Sequence, residues 1–419
     1  MDKGESAWIC KKRVKSGTNA TTLILLCWLV YACSYIGKVN YAANINPVME
    51  FYKVDHSTAG LVSTFFFFAY GVGQVINGLF CKKYNLKWIV FISLILSGTI
   101  NLIVGISNDF TLIKNLWMIN GFSMSILWPS LIRLLSETLT KKDMAKASII
   151  MGTTVTSGTF LVYALSALFV KINFKISFYL PAGMFLIVAL IWLFAFSTTV
   201  NKAKEEVEEG IALTKDKQED FNPSLLMLSI VMLCIYGIAV NLIKDGLTTW
   251  VPSILKEQYK LDGSLSIILT LALPIVAIFA NAFAVSIHKK IPDFVLQCAL
   301  MFLISGCILG GVIAGIKLNQ FVITLFGFAV VCFLVSSCNS LITSIFPLFM
   351  KGKVNSGKIA GLINGFCYLG STTSSYGLGA IADNFGWVAV FWVLLFVSVG
   401  VCVSAGVYFF IKKSLKRQC

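Results

Sequence analysis

Long apolar runs, scarcely broken by charge, recur along the whole chain. Residues 21–33 read TTLILLCWLVYAC, and comparable stretches follow up to the C-terminal end. Their apolar residues are continuous, not alternating, so they read as buried helices and not as half-buried strands. A helix crosses the hydrocarbon core with about 20 apolar residues. In lipid, only helices and closed barrels satisfy every backbone polar group. Hydrophobic residues fill 57% of the 419 positions and charged residues only 13%, more apolar surface than a soluble core can bury. The expected fold class is an all-α polytopic membrane protein.

Twelve candidate spans lie near 21–48, 58–80, 88–107, 110–136, 144–170, 176–198, 225–255, 264–287, 293–315, 320–349, 357–381 and 386–411. Residues 201–224 form a long charged connector after the sixth. It divides the chain into an N-terminal six-helix bundle (1–200) and a C-terminal one (225–419). The net charge of +15 would suggest nucleic acid in a soluble protein, but here the basic residues sit in short connections. With both termini placed inside, the inside segments hold 24 Lys and Arg and the outside loops 7. That excess orients the chain in a cell membrane with both termini cytoplasmic, and removes the case for nucleic acid. No small-residue cleavage site follows the first apolar run, which reads as a retained helix. Most of the 12 Cys, such as Cys27, Cys234, Cys307 and Cys332, lie within spans, and none forms a CxxC pair. They read as small apolar filler, and no cofactor or metal is expected.

The two halves repeat. Lys38, Pro47, Lys53-Val54-Asp55 and Lys82-Lys83 in the first correspond to Lys244, Pro252, Lys260-Leu261-Asp262 and Lys289-Lys290 in the second. Asp55 to Lys82 is 27 residues, and so is Asp262 to Lys289. Six spans per half give both halves one membrane orientation, a parallel repeat about an axis along the membrane normal.

Lys38 and Lys244 thus hold equivalent places, each well inside a span. A charge at the bilayer centre costs about 2.5–3.5 kcal/mol on insertion scales, so two cost roughly 5–7 kcal/mol if uncompensated. Such residues face a wet cavity or a partner and mark an ion or substrate path. Tyr31, Tyr35 and Lys38 fall at i, i+4 and i+7, and Asn241, Lys244 and Thr248 at i, i+3 and i+7, so each set shares a helix face. Two ammonium groups across a central cleft repel each other when empty and attract an anion. A phosphate or a dicarboxylate fits, with tyrosine hydroxyls orienting its oxygens. Plainer readings stand beside this one. Lys38 could snorkel along its stem to the surface. Lys244 could be neutralised by Asp245, although adjacent helix residues point about 100° apart and are expected to pair poorly. Arg133, four residues before Glu137, reads as an i,i+4 pair. Gln74 and Asn77 line the cleft or bond between helices. The hydroxyl-rich MGTTVTSGT of residues 151–159 is expected to bond mainly to its own backbone.

At these residues the sequence resembles the organophosphate:inorganic phosphate antiporter family of the major facilitator superfamily, which includes bacterial glycerol-3-phosphate and hexose-phosphate transporters. That family's first-span Tyr-x-x-x-Tyr-x-x-Arg-x-Asn pattern reads Tyr31, Tyr35, Lys38 and Asn40 here. Its seventh-span Arg-x-Gly, Trp-x-Pro and Leu-Lys-Glu elements read Lys244, Gly246, Trp250, Pro252, Leu255, Lys256 and Glu257. Trp128, Pro129 and Arg133 match the fourth span. Ala360, Gly361, Tyr368, Leu369 and Gly370 match the eleventh, with Gly386-Trp387 after it. The resemblance implies the major facilitator fold, twelve transmembrane helices as two six-helix bundles. It also implies a phosphate clamped by paired cations and tyrosines. The substrate-binding candidates are therefore Lys38, Lys244, Tyr31, Tyr35 and Tyr368, joined by Asn40, Asn241 and Gln74. Four departures stand out. Both arginines are lysines, which keep the charge and lose the bidentate fork. A second-span lysine is Gln74, a fifth-span histidine falls at Val155, and residues 78–83 lack the superfamily's Asp.

The function expected is secondary active transport of a small organic anion by alternating access, with organophosphate–phosphate exchange as the form the resemblance implies. Asp245 is the coupling candidate if a proton or cation accompanies the anion. A membrane sensor of a phosphorylated metabolite would use the same residues with little flux. A proton- or cation-coupled carboxylate carrier would use the same fold. An enzyme is not expected, since His56 and His288 lie at loop ends apart from any acid–base cluster. The expected partners are a small anionic substrate and membrane lipid. A monomer is compatible with this pattern, which does not itself set the oligomeric state.

Overall fold

The computed structural model describes residues 18–80, 84–208, 223–349 and 356–418; these are helical apart from short turns and include no strand. Eleven stretches among them are long and apolar enough to cross a membrane. The last helical stretch, Ser356–Gln418, has 63 residues. At 1.5 Å per residue it would measure about 95 Å, roughly three times the hydrocarbon thickness. It is two spans meeting at Gly386, whose φ of 76° and ψ of 171° leave the helix in a region open essentially to glycine alone. The crossings therefore number twelve, arranged as two six-helix bundles.

Several spans are less continuous than their apolar runs imply. The first, Thr18–Ala43, turns at Asn44 and resumes as Ile45–Tyr52. The fourth is split into Phe110–Met124 and Leu127–Thr138, and the fifth breaks at Thr153. The eighth is three short helices, Gly263–Thr270, Ala272–Ala277 and Ala280–His288. The tenth closes with a five-residue π turn, Leu341–Ile345. The sixth runs on as one helix, Ile176–Glu208, so the start of the expected connector is helical. Residues 209–222 of that connector, the Lys82-Lys83 pair and the basic stretch 1–17 lie outside the described residues.

The internal repeat is visible in the backbone. Lys53 (φ 54°) and Lys260 (φ 53°) both adopt the left-handed conformation at the same place in their halves. Each is followed two residues later by an Asp that precedes the next span. Large apolar side chains such as Ile172, Phe194, Val322 and Phe410 face outward, the exterior that a lipid environment accommodates.

Alternation of the spans puts Thr18 and Gln418 on one side, together with connections such as 139–140 and 289–293. The turns near 53–55, 107–109, 174–175, 260–262 and 318–320, and Gly386, lie on the far side. Polar links between the halves gather towards this far side. Lys256 pairs with Glu50, and Lys171 with Asp262 at 3.0 Å. Ser253 Oγ donates to Asn46 Oδ1 at 2.7 Å, and Ser264 Oγ to the Ala167 carbonyl at 2.9 Å.

Candidate functional site

A central cavity lies between the halves, walled by the first, second, fourth and fifth spans on one side and the seventh, eighth, tenth and eleventh on the other. Lys38 lines it, so its stem does not snorkel to the surface. Its Nζ donates to the Tyr368 hydroxyl at 3.2 Å, across the halves. The rings of Tyr70, Tyr35, Tyr368, Phe67 and Phe66 lie 4.2, 4.9, 4.9, 5.6 and 5.8 Å from that nitrogen. Five aromatic rings within cation–π range offset part of the cost of holding an ammonium here. Among the described residues, no carboxylate comes within ion-pair distance of it.

Lys244 is held differently. Its Nζ lies 3.5 Å from Asp245 Oδ1, which corrects the expectation that adjacent residues pair poorly. The Cβ directions do diverge, but a four-carbon stem is long enough to swing its head around the helix to the neighbouring carboxylate. The other Asp245 oxygen accepts from Ser371 Oγ at 2.5 Å. Ser371 Oγ in turn accepts from Asn241 Nδ2 at 3.1 Å. The expected symmetric pair of free cations is therefore one cation in an aromatic cage and one ion pair. Tyr35, Tyr368, Asn241 and Asp245 all line the cavity beside the two lysines.

Three candidates stand elsewhere. Tyr31 lies behind the cavity wall, its ring 4.6 Å from that of Trp128 and its hydroxyl 3.5 Å from that of Tyr70. Asn40 and Gln74 are drawn away by prolines. A proline inside a helix has no N–H for the carbonyl four residues back, and in lipid that carbonyl needs another donor. Pro181 frees the Ser177 carbonyl, which accepts from Asn40 Nδ2 at 3.0 Å. Pro129 frees the Ser125 carbonyl, which accepts from Gln74 Nε2 at 2.9 Å. Pro252 follows the same rule: the Thr248 carbonyl takes the Tyr163 hydroxyl, across the halves. Asn40→Ala is therefore expected to destabilise the detergent-solubilised protein by about 1–3 kcal/mol, the cost of a buried unsatisfied carbonyl. The apparent affinity of the folded fraction for substrate should not change; a weakened affinity with unchanged melting would return Asn40 to the site.

Other features of the sequence divide similarly. Arg133 Nε meets Glu137 Oε1 at 2.7 Å as the i,i+4 spacing implies, and Nη1 also donates to the Tyr84 carbonyl at 3.2 Å. Asn77 bonds Ser125 Oγ at 2.8 Å, between helices. Thr153 and Thr154 hydroxyls return to the Ile150 and Met151 carbonyls, at 2.8 and 2.6 Å. Thr156 and Thr159, on the same stretch, line the cavity with Val155. Phe66, Phe67 and Tyr70 were hidden in STFFFFAY, a run that reads as lipid filler; Ser63, Thr64 and Tyr70, the last one turn before Gln74, were its polar signals.

The sequence also hides a cluster at the far side. His56 Nδ1 lies 2.6 Å from Asp383 Oδ1, and its Nε2 lies 2.7 Å from Glu257 Oε1. The Ser57 N–H donates to Asp383 Oδ2 at 2.7 Å, and Trp387 Nε1 to Glu257 Oε2 at 2.8 Å. One residue of the first half thus joins two spans of the second.

Twelve spans in two repeated halves around a charged central cavity are the architecture of a major facilitator protein. The chain belongs to the Major Facilitator Superfamily, whose sequence pattern matches residues 27–371. It is similar to the membrane sensor protein UhpC of Escherichia coli K12, 27% identical over 121 residues. That match covers 29% of this chain and spans 28% of the relative's length. Sugar phosphate exchanger 3 of Bos taurus is 18% identical over 385 residues, covering 81% of this chain and 77% of that protein. A probable hexose phosphate transport protein of Chlamydia trachomatis is 23% identical over 116 residues, 28% of this chain and 25% of that one. Among solved structures, a bacterial homologue of the human lysosomal transporter Spinster, inward-facing and unoccupied, superposes with a TM-score of 0.71. It covers 95% of this chain and 97% of its own at 12% identity, a likeness of fold.

Proposed function

We propose that this protein is a secondary active carrier of a small organic anion that works by alternating access around Lys38 and Lys244. The observation that carries the reading is the Lys38 ammonium, inside a span yet bonded across the halves to Tyr368. An anion that takes Lys38 competes for a bond that joins the halves, so binding changes the balance between their arrangements. Lys244, Tyr35, Tyr368 and Asn241 complete the contact set, and Asp245 holds Lys244. The names of the relatives support a phosphorylated substrate, and a carboxylate meets the same charge. The excess of Lys and Arg on the side of the termini supports a cytoplasmic placement there. The far side is then external, and its polar closure corresponds to an inward-facing state. The similarity to UhpC supports a second reading, a sensor that binds the same anion without moving it.

The deciding experiment is uptake into proteoliposomes, with and without internal phosphate, of labelled glycerol 3-phosphate, a hexose phosphate, glycerate and malate. Saturable uptake of at least one anion is expected, about tenfold or more above protein-free vesicles. Stimulation by internal phosphate would mark an exchanger. Binding without flux would mark the sensor, and neither binding nor flux for any small anion would overturn the anion site.

A further inference from the structure

We propose that the cavity is built for a singly charged anion that also bears a hydrogen-bond donor, with Lys38 as its counter-charge and Asp245 as a barrier to dianions. This rests on the carrier reading above and sharpens it. Among the described residues, the charged side chains lining the cavity are Lys38, Lys244 and Asp245. The phenols and the Cys332 thiol beside them are neutral at pH 7. Asp245 is fixed on two sides, by Lys244 at 3.5 Å and by the Ser371 hydroxyl. The lining therefore carries one net positive charge and not the two that the paired lysines suggest. A charge left unmatched in a site with little water is costly. A monoanion brings the cavity to neutrality. A dianion leaves a surplus negative charge, or must pull Lys244 away from a carboxylate that Ser371 keeps in place.

The donor requirement comes from Asn241. Ser371 has one hydrogen and gives it to Asp245, so it must accept from Asn241 Nδ2. That fixes the amide and leaves Asn241 Oδ1 buried with no partner. Asn241 lines the cavity. A substrate hydroxyl that reaches the orphan oxygen would satisfy it, and sites with such an orphan group reject analogues that lack the donor. The substrate class is thus a hydroxy acid anion, or a singly charged phosphate diester or hydrogen phosphate ester that carries a free hydroxyl.

The test is titration of the full-length protein, by tryptophan fluorescence or thermal shift at pH 7.5, with two matched pairs of probes. Glycerate is set against malate, and the methyl diester of glycerol phosphate against glycerol 3-phosphate, which is mostly doubly charged at that pH. Which pair binds tells a carboxylate site from a phosphate site. Wild type is expected to bind the monoanion of a pair at least tenfold more tightly, and glycerate at least tenfold more tightly than propionate. Asp245→Asn should invert the charge order. The double variant Lys244→Gln with Asp245→Asn restores one net charge and should restore the wild-type order. It decides the matter even if the single variant does not fold. Equal or tighter binding of the dianion by wild type, an unchanged order in Asp245→Asn, or a still inverted order in the double variant would overturn the proposal. Silence from every probe, or a Lys38→Gln variant that binds all of them as wild type does, would instead overturn the anion-carrier reading beneath it.

Discussion

Lys38→Gln is expected to abolish anion uptake, by about 30-fold at the least, in a protein that still folds. Losing one partner of a desolvated, hydrogen-bonded charge pair costs about 2–5 kcal/mol of binding, which is about 30-fold to a few thousandfold. Here the lost partner is the one lining cation without a carboxylate of its own among the described residues, so no neighbouring charge can replace it. The same feature protects the fold. Gln leaves no buried carboxylate unpaired, and it relieves the mid-span penalty of about 2.5–3.5 kcal/mol that the cation–π contacts only partly offset. The melting temperature in detergent should hold or rise while uptake is lost. Lys244→Gln should behave in the opposite way on stability, because it strips Asp245 of its cation and leaves Ser371 as its remaining support. Paired melting and uptake curves for the two variants separate these outcomes. Wild-type uptake by Lys38→Gln would remove Lys38 from the substrate path.

This asymmetry between the two lysines was not legible in the sequence, although their positions were. Lipid imposes one rule on every span, so apolar length alone gave the twelve crossings, and the offset between Lys53 and Lys260 gave the repeat that the left-handed turns display. Mid-span charge pointed to Lys38 for the same reason, because few environments in a bilayer tolerate it. What surrounds a charge is a matter of packing between helices. The ring of Tyr368 reaches Lys38 from 330 positions away. Pro129 and Pro181 announce in the sequence that two carbonyls need donors. Only the packing says that Gln74 and Asn40 supply them, and that both amides are thereby lost to the substrate. His56 reads as a loop-end histidine because its two carboxylates lie 201 and 327 positions away.

Gly60→Ala is expected to hold the far side open. A Cβ at residue 60 would sit 2.4 Å from the Ser375 carbonyl oxygen, and its next contacts are the Ser375 carbonyl carbon and the Trp250 ring. All three belong to the other half, so the substitution bears first on the approach of the two halves. One turn further on, Thr64 Oγ1 donates to the Thr372 carbonyl at 2.9 Å and accepts from the Tyr376 N–H at 3.1 Å, so the second and eleventh spans meet backbone to side chain with no slack. Forcing a methyl group into such a contact costs about 1–3 kcal/mol, enough to shift the balance between closed and open about 5- to 150-fold. His56→Ala should act in the same direction from the adjoining turn. Both His56 ring nitrogens face carboxylate oxygens, an arrangement in which the imidazolium donates twice and holds Asp383 and Glu257 together. These side chains are partly exposed, so solvent reduces the loss to about 1 kcal/mol or somewhat more. Amide hydrogen exchange should quicken at residues 45–57 and 253–262 in both variants, more in Gly60→Ala, while the remote faces of each half keep wild-type rates. Uptake should fall with it, because a carrier that cannot close its far side cannot complete the cycle. Wild-type exchange at these segments together with wild-type uptake in Gly60→Ala would mean that the second and eleventh spans do not form the closure on which the cycle turns.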